Sequence, residues 1–474
     1  MKKKEKKYGL LKGILLFIFI AIILSWLIPN GQFSASGYAT EGSLVRVGLT
    51  DLSWLVYYGF YFALDKIVLL LAVGGLYGVL VKTNAYDRLT TNIAKKLQNK
   101  KVSVVIISII LALLASLLTQ TFTVIIFVPF IISIMNKMEL DKMTILATTF
   151  GSIMVGVLGA TYGTEGLVYF NRYITTEGFK ATNTVLIRAG ILAIGLVLFN
   201  FFTLSHMKRV EKKAESATIF PVEIEESEDN KPKKSSIIPI VIIGLLLFVI
   251  AILGFVDWNT LGVTAFDSFH KTLTDIHIGD FYVFSSLLGA NTSAFGTWDL
   301  FPISAIIFVF TLIIGLCYRF KFNEFVDGFI DGLKKMIKPC FIVAGAFTLM
   351  VVVYMSPYVA TIINKLLSLT EGFNLVTMSL SSIVGSIFHT DLGFTGYILG
   401  AFLSAEYMDF INPIYVIFTS LYGLVQFLIP TSIVLGVGLT ALDIKYRDWL
   451  KHIWKFIIGM FICLLVIFIL MAII

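Results

Sequence analysis

The chain has 474 residues, 57% of them hydrophobic, and a mean hydropathy of +0.90. That balance excludes a soluble globular protein and marks a polytopic helical membrane protein. The net charge of +7 calls for no nucleic-acid partner, because the basic residues lie in loops, where positive charge sets orientation.

Apolar runs at 11–28, 184–206, 237–256, 301–319 and 452–474 are each long enough to span a bilayer. Lys2–Lys7 ahead of the first run have the order of a signal peptide. No small-residue cleavage site follows, so an uncleaved first span is expected. The next span, 57–81, carries Asp65 and Lys66 near its outer end, where the two can pair. Cys317, Cys340 and Cys463 form no CxxC pair and no disulfide framework.

From Val102 to Asn136 there are 35 residues without a charge, too long for one upright span and short for two with a turn. The centre, Ser116-Leu117-Leu118-Thr119-Gln120-Thr121-Phe122-Thr123, is polar. This predicts a helical hairpin, 102–136, whose tip stops near the midplane and faces protein or a watery cavity. Two short spans with back-bonded threonines are the bland alternative. The following apolar piece, 143–173, has five glycines between Gly151 and Gly166 and reads as a broken helix. Segment 207–236 reads as a flexible cytoplasmic linker of mixed charge.

The same order then recurs. Segment 321–338 has a helical apolar stripe with Lys334, Lys335 and Lys338 near its end, and predicts a helix lying in the lipid interface. A second hairpin, 374–405, has the tip Ser386-Ile387-Phe388-His389-Thr390-Asp391. His389 and Asp391 are ionisable residues in an apolar stretch, and such residues are functional candidates. A second broken helix, 411–441, has Pro430-Thr431-Ser432 at its break, where proline removes a backbone donor. At an offset of 270, Val73 matches Val343, Thr149 matches Thr419, Thr161 matches Thr431, Gly166 matches Gly436, and Thr121 falls on Asp391.

Basic clusters at 2–7, 82–101, 137–142, 208–213, 231–234, 319–338 and 445–455 belong on the cytoplasmic side. This works only if the two hairpins enter from opposite sides, which inverts the repeats. The expected organisation is a first repeat over 1–206, the linker 207–236 and a second repeat over 237–474. Interrupted helices in an inverted repeat point to a secondary transporter. Breaks free carbonyls for a cation and aim half-helix N-termini at an anion. Candidate substrate ligands are Thr119, Gln120, Thr121, Thr123, Thr161, Ser386, His389, Thr390, Asp391, Thr431 and Ser432. Candidate ion ligands are Gly159, Ala160, Thr161, Pro430 and Thr431. The coupling ion would be Na⁺ or H⁺, with no other cofactor.

Ile23-Leu24-Ser25-Trp26-Leu27-Ile28-Pro29-Asn30-Gly31-Gln32-Phe33 resembles the start of YfcC-like transporters, of the C4-dicarboxylate anaerobic carrier family in the ion transporter superfamily. Ile429-Pro430-Thr431-Ser432 with Gly436, and Tyr446-Arg447-Asp448-Trp449-Leu450-Lys451, are similar too. The resemblance implies scaffold helices that form a homodimer, and hairpins and broken helices that move together as an elevator. It places the tips at Thr119–Thr123 and Ser386–Asp391 and the breaks at Gly159–Thr161 and Pro430–Ser432. The tips depart from close relatives, where acidic residues follow the first tip and the second is rich in Asn, Ser or Gly.

The fold expected is thus an all-α polytopic membrane protein with two re-entrant hairpins and two broken helices. The function expected is secondary transport of a C4-dicarboxylate or an amino acid across the cytoplasmic membrane, with the N-terminus inside. Variants of this reading are a basic amino acid/product antiporter and a peptide transporter. A membrane enzyme acting on lipid-linked phosphate is the rival of another class, but neither hairpin nor break holds an arginine for it. A passive channel would lack saturable counterflow. No GxxxxGK[ST] motif supports an ATP-driven pump.

Overall fold

Inside a bilayer no water satisfies backbone N–H and C=O groups, so an apolar chain satisfies them within helices. The computed structural model, which describes residues 9–40, 45–163, 165–177, 179–211, 235–289 and 292–473, is built this way. Helix α1 (Gly9–Leu27) leads through a small hairpin, β1 (Gly31–Ser34) and β2 (Gly37–Thr40), to the long helix α2 (Asp51–Val81). There follow α3 (Asn84–Lys96), α4 (Lys100–Leu117), a 3₁₀ turn (Thr121–Phe127) and α5 (Val128–Lys137). Helices α6 (Lys142–Leu146) and α7 (Ser152–Leu158), joined by a π turn, precede α8 (Glu165–Tyr173) and α9 (Val185–Glu211). Helix α10 (Ile238–Phe255) is followed by the short α11 (Ala265–Thr274), β3 (His277–Ile278), β4 (Phe281–Tyr282) and α12 (Val283–Leu288). Then come α13 (Leu300–Cys317), α14 (Phe322–Met355), α15 (Tyr358–Leu367), α16 (Leu375–Phe388) and α17 (Leu392–Glu406). The chain ends with α18 (Ile411–Val425), α19 (Ile433–Ala441) and α20 (Tyr446–Ile473). Among the described residues, nine helical stretches are long and apolar enough to cross a membrane. Most of linker 207–236 (212–234) lies outside the described residues.

The elements recur in order at the sequence offset. Helix α3 falls on α15, α4 on α16, the 3₁₀ turn and α5 on α17, α6 and α7 on α18, and α8 on α19. Helix α2 falls on α14, and these two pack along most of their length. Gly59 meets Thr348, Gly74 meets Gly332 and Gly78 meets Gly328, so the two equivalent helices run antiparallel.

This corrects the reading of 321–338. It is no interfacial helix but the first half of α14, continuous through Pro339. Part of its stripe faces protein, Phe325 packing on Gly315 of α13 and Phe329 on Gly75, and Gly328 and Gly332 sit backbone-to-backbone on α2, while Phe322, Ile330 and Ile337 stay exposed. The helix equivalent to α3 at the sequence offset is α15. Small residues spaced four apart let membrane helices approach this closely.

A Cβ on Gly332 would overlap the Gly74 carbonyl, whereas one on Gly459 meets nothing within 4 Å. Gly332→Ala should therefore destabilise the purified protein by about 1–3 kcal/mol. Gly459→Ala should leave the melting temperature unchanged or raise it, since alanine favours a helix. Equal melting temperatures for the two variants would contradict the α2–α14 contact.

The segment Ile28–Phe33 forms the joint between α1 and the second half of the chain. Pro29 O accepts from Thr361 Oγ1 at 2.6 Å, and Asn30 Oδ1 from Ser356 Oγ at 2.9 Å. Phe33 packs on Phe402 of α17.

Candidate functional site

Each hairpin and each broken helix loses helical geometry where polar residues interrupt the apolar run. Leu118 and Gln120 are extended between α4 and the 3₁₀ turn, and His389 and Asp391 between α16 and α17. The first broken helix opens at Gly159, after α7, and the second between Val425 and Ile433. Four chain ends thereby converge on a cavity of about 60 Å³, room for roughly four or five waters.

Thr121 and Phe122 line the cavity from the first tip, Thr390 and Asp391 from the second. Met154 and Val157 of α7 and Gly166 of α8 form one wall; Tyr422, Gln426, Ser432, Ile433 and Val434 form another. Lys66 of α2 and Phe347 of α14 close it. Lys66 Nζ lies 3.0 Å from Asp65 Oδ2 and 5.4 Å from the centre of the Phe347 ring.

Two features bring positive charge to the cavity wall. Helix α19 starts in the cavity wall without a side-chain cap. Its first N–H groups lack intrahelical acceptors and carry the positive end of the helix dipole. The second feature is the Lys66 ammonium, buried in α2 beside its ion-pair partner Asp65. Ser432 Oγ and Gln426 Nε2 are buried with no hydrogen-bond partner, and both residues line the cavity. Buried polar atoms left unpaired are costly, so a ligand that pairs them gains affinity.

Asp391 adds a negative charge beside these donors, and it has a structural duty as well. Its Oδ1 accepts from the Gly393 N–H at 2.9 Å, capping α17. Its carboxylate also sits against Gly166 and Gly393, where a Cβ would lie 3.3 Å and 3.1 Å from its two oxygens. Larger residues at either place would push it away. The second tip is further held by Thr390, whose Oγ1 donates to Ala346 O at 2.7 Å and whose carbonyl accepts from Tyr422 Oη at 2.9 Å.

Of the predicted substrate ligands, Thr121, Thr390, Asp391 and Ser432 line the cavity. The others do not. Thr119 donates through N and Oγ1 to Phe255 O, which pins the first tip to α10. Thr161 Oγ1 donates to Ser116 O, and Ser386 Oγ to Ser382 O within its own helix. His389 is turned into the hairpin, its Nδ1 2.8 Å from Thr395 Oγ1 and its ring edge-on to Phe394. Gln120, Thr123 and Thr431 are buried near the tips and break, each with an unpaired oxygen, but outside the cavity wall. None of Gly159, Ala160, Thr161, Pro430 and Thr431 reaches the cavity, and the Ala160 carbonyl already accepts from Arg188.

Lys66, Tyr422, Gln426 and Arg188 were not marked by motif spacing. Lys66 and Arg188 each interrupt an apolar run, and that is the signal that finds them. Lys66 is not at the outer mouth as its sequence position suggested. The 31-residue length of α2 carries it into the wall of the cavity.

Nine helices long and apolar enough to cross a membrane, among the described residues, mark a multi-pass membrane protein. The chain belongs to the C4-dicarboxylate anaerobic carrier (DcuC) family, which it matches over residues 9–473. It is a transporter by family, not an enzyme, which sets aside the lipid-linked phosphate reading. No curated protein matches the sequence. Among solved structures it is similar to the YdaH transporter of Alcanivorax borkumensis, at 12% identity over 98% of this chain and 97% of that one, with a TM-score of 0.40.

Proposed function

We propose that the protein is a secondary transporter of a small carboxylate-bearing metabolite, bound between the uncapped start of α19 and Lys66. The observation that carries this is the joint presence of that helix start and that ammonium in the wall of one cavity. One substrate carboxylate would accept from the α19 N–H groups and Ser432 and face the Lys66 charge. Asp391 opposite favours a substrate that also bears an amino group, such as an amino acid. The family description favours a C4-dicarboxylate, which requires Asp391 to be protonated when the second carboxylate enters.

The antiparallel packing of α2 and α14, equivalent by sequence offset, supports the inverted repeat. In that reading 1–206 and 237–474 are the two repeats and 207–236 is a cytoplasmic linker. The hairpins and broken helices would move as an elevator against scaffold helices of a homodimer, driven by Na⁺ or H⁺ or by exchange. The N-terminus would face the cytoplasm.

Two experiments test the proposal. The first is orientation, in a background with all three cysteines replaced. Ser293→Cys is expected to react with an impermeant reagent added outside intact cells, and Ser227→Cys only after permeabilisation. Reversed accessibility would end the inverted-repeat reading.

The second compares Thr431→Val with Thr161→Val. Thr431 Oγ1 is buried and unpaired, so its loss should leave the fold intact while lowering ion or substrate affinity about tenfold. Thr161→Val removes one bond to a carbonyl that keeps two N–H donors, so its effect on stability should be small. Normal affinities in Thr431→Val would remove Thr431 from the site.

A further inference from the structure

The two breaks are equivalent by sequence offset but not by chemistry. At the second, Thr431 Oγ1 and Ser432 Oγ are each 1% exposed and have no partner. At the first, the equivalent threonine is paired, Thr161 Oγ1 donating to Ser116 O. Ser116 O accepts three times, from the N–H groups of Thr161 and Gly163 and from Thr161 Oγ1. The Ala160 carbonyl accepts from the guanidinium of Arg188.

Arg188 lies in the first turn of α9 and is 1% exposed. Two further donors go to Ala181 O at 2.8 Å and Thr184 Oγ1 at 3.0 Å, and its Cζ lies 5.4 Å from the centre of the Tyr415 ring. Among the described residues no carboxylate pairs with it. A buried guanidinium without a counter-ion is held by dipoles and a π face, and the C-terminal carbonyl end of α7 supplies the negative partial charge. That is the environment an unwound helix otherwise offers a small cation. The position equivalent to Arg188 in the second repeat is Ile458, whose side chain is exposed; the side chains that do reach carbonyls of the second break, Trp449 on Phe427 O and Tyr446 on Leu428 O, are neutral donors.

We propose that Arg188 is a built-in cation filling the place at the first break that a coupling cation would occupy, so that cation binding is confined to the second break. This rests on reading the breaks as part of the transport site. It makes Arg188 a positioning residue and sets an upper limit of one alkali cation held at the breaks.

The test uses purified full-length protein in detergent, with choline chloride as the ionic-strength control. Arg188→Ala is expected to melt several degrees lower than wild type. About 10 mM guanidinium should restore part of the loss saturably, without raising the wild-type melting temperature. Arg188→Lys should lie between the two. Destabilisation that neither guanidinium nor Na⁺ relieves beyond choline would mean a merely structural arginine and would overturn the proposal.

Should Arg188→Ala fail to fold, Na⁺ titration of wild type and of Thr431→Val/Ser432→Ala decides the matter. A wild-type response that is single-site, and absent from the double variant, is expected. A second site, or a response that survives in the double variant, overturns the proposal. Wild type without any Na⁺ response would also overturn the proposal, since no cation is then held at the second break. A parallel titration of wild type with carboxylates reports on the cavity itself. Loss of that response would count against the cavity and not against Arg188.

Discussion

Asp391→Asn in proteoliposomes is expected to lower uptake of an amino-bearing substrate at limiting concentration on the order of 10²-fold at every pH. The size follows from removing a charge that faces another charge in a desolvated site, about 2–5 kcal/mol. Folding should be unaffected, because Asn can still cap α17 through its side-chain oxygen. Asp391→Ala provides the contrast, losing the cap as well, with an added cost of about 1 kcal/mol. If pH-driven net uptake alone falls and exchange persists, Asp391 carries a proton and the substrate is a dicarboxylate. Unchanged uptake, exchange and affinity would leave Asp391 as a cap and nothing more.

Lys66→Gln is the second large effect. It removes the ammonium proposed to face the substrate carboxylate, and half-saturation for any carboxylate substrate should rise on the order of 10²-fold. The maximal rate should change less, since the interaction is made in the bound state and not only during movement. The variant also leaves Asp65 without the ion pair at 3.0 Å, which lowers stability on its own account. Asp65→Asn/Lys66→Gln separates the two effects: stability should recover while affinity does not. Recovery of affinity in the double variant would show that Lys66 serves Asp65 and not the substrate.

Much of the scaffold was legible because membrane helices write themselves in long apolar runs. The five runs read from composition each fall in a helix long enough to cross a membrane. The tips and breaks were legible too. Polar groups and glycines inside apolar stretches leave the backbone few places to unwind, and it does so at 118–120, 159–163, 389–391 and 426–432. What the pattern did not separate was which side of a helix meets protein. The stripe of 321–338 has the periodicity of an interfacial helix, but glycines four apart turned it onto α2. Side-chain direction at the tips was equally hidden. His389 and Asp391 are two residues apart, but one turns inward to Thr395 and the other lines the cavity. Lys66 and Arg188 depend on long-range packing, which no local motif records.

The most direct test of the central claim is counterflow in proteoliposomes preloaded with unlabelled C4-dicarboxylates or amino acids. Labelled substrate outside should accumulate saturably when the lumen holds a carboxylate the protein transports. That accumulation should be lost in Lys66→Gln and insensitive to an amine lacking a carboxylate. Flux that does not saturate, or that no internal carboxylate accelerates, would contradict a carboxylate transporter built around this cavity.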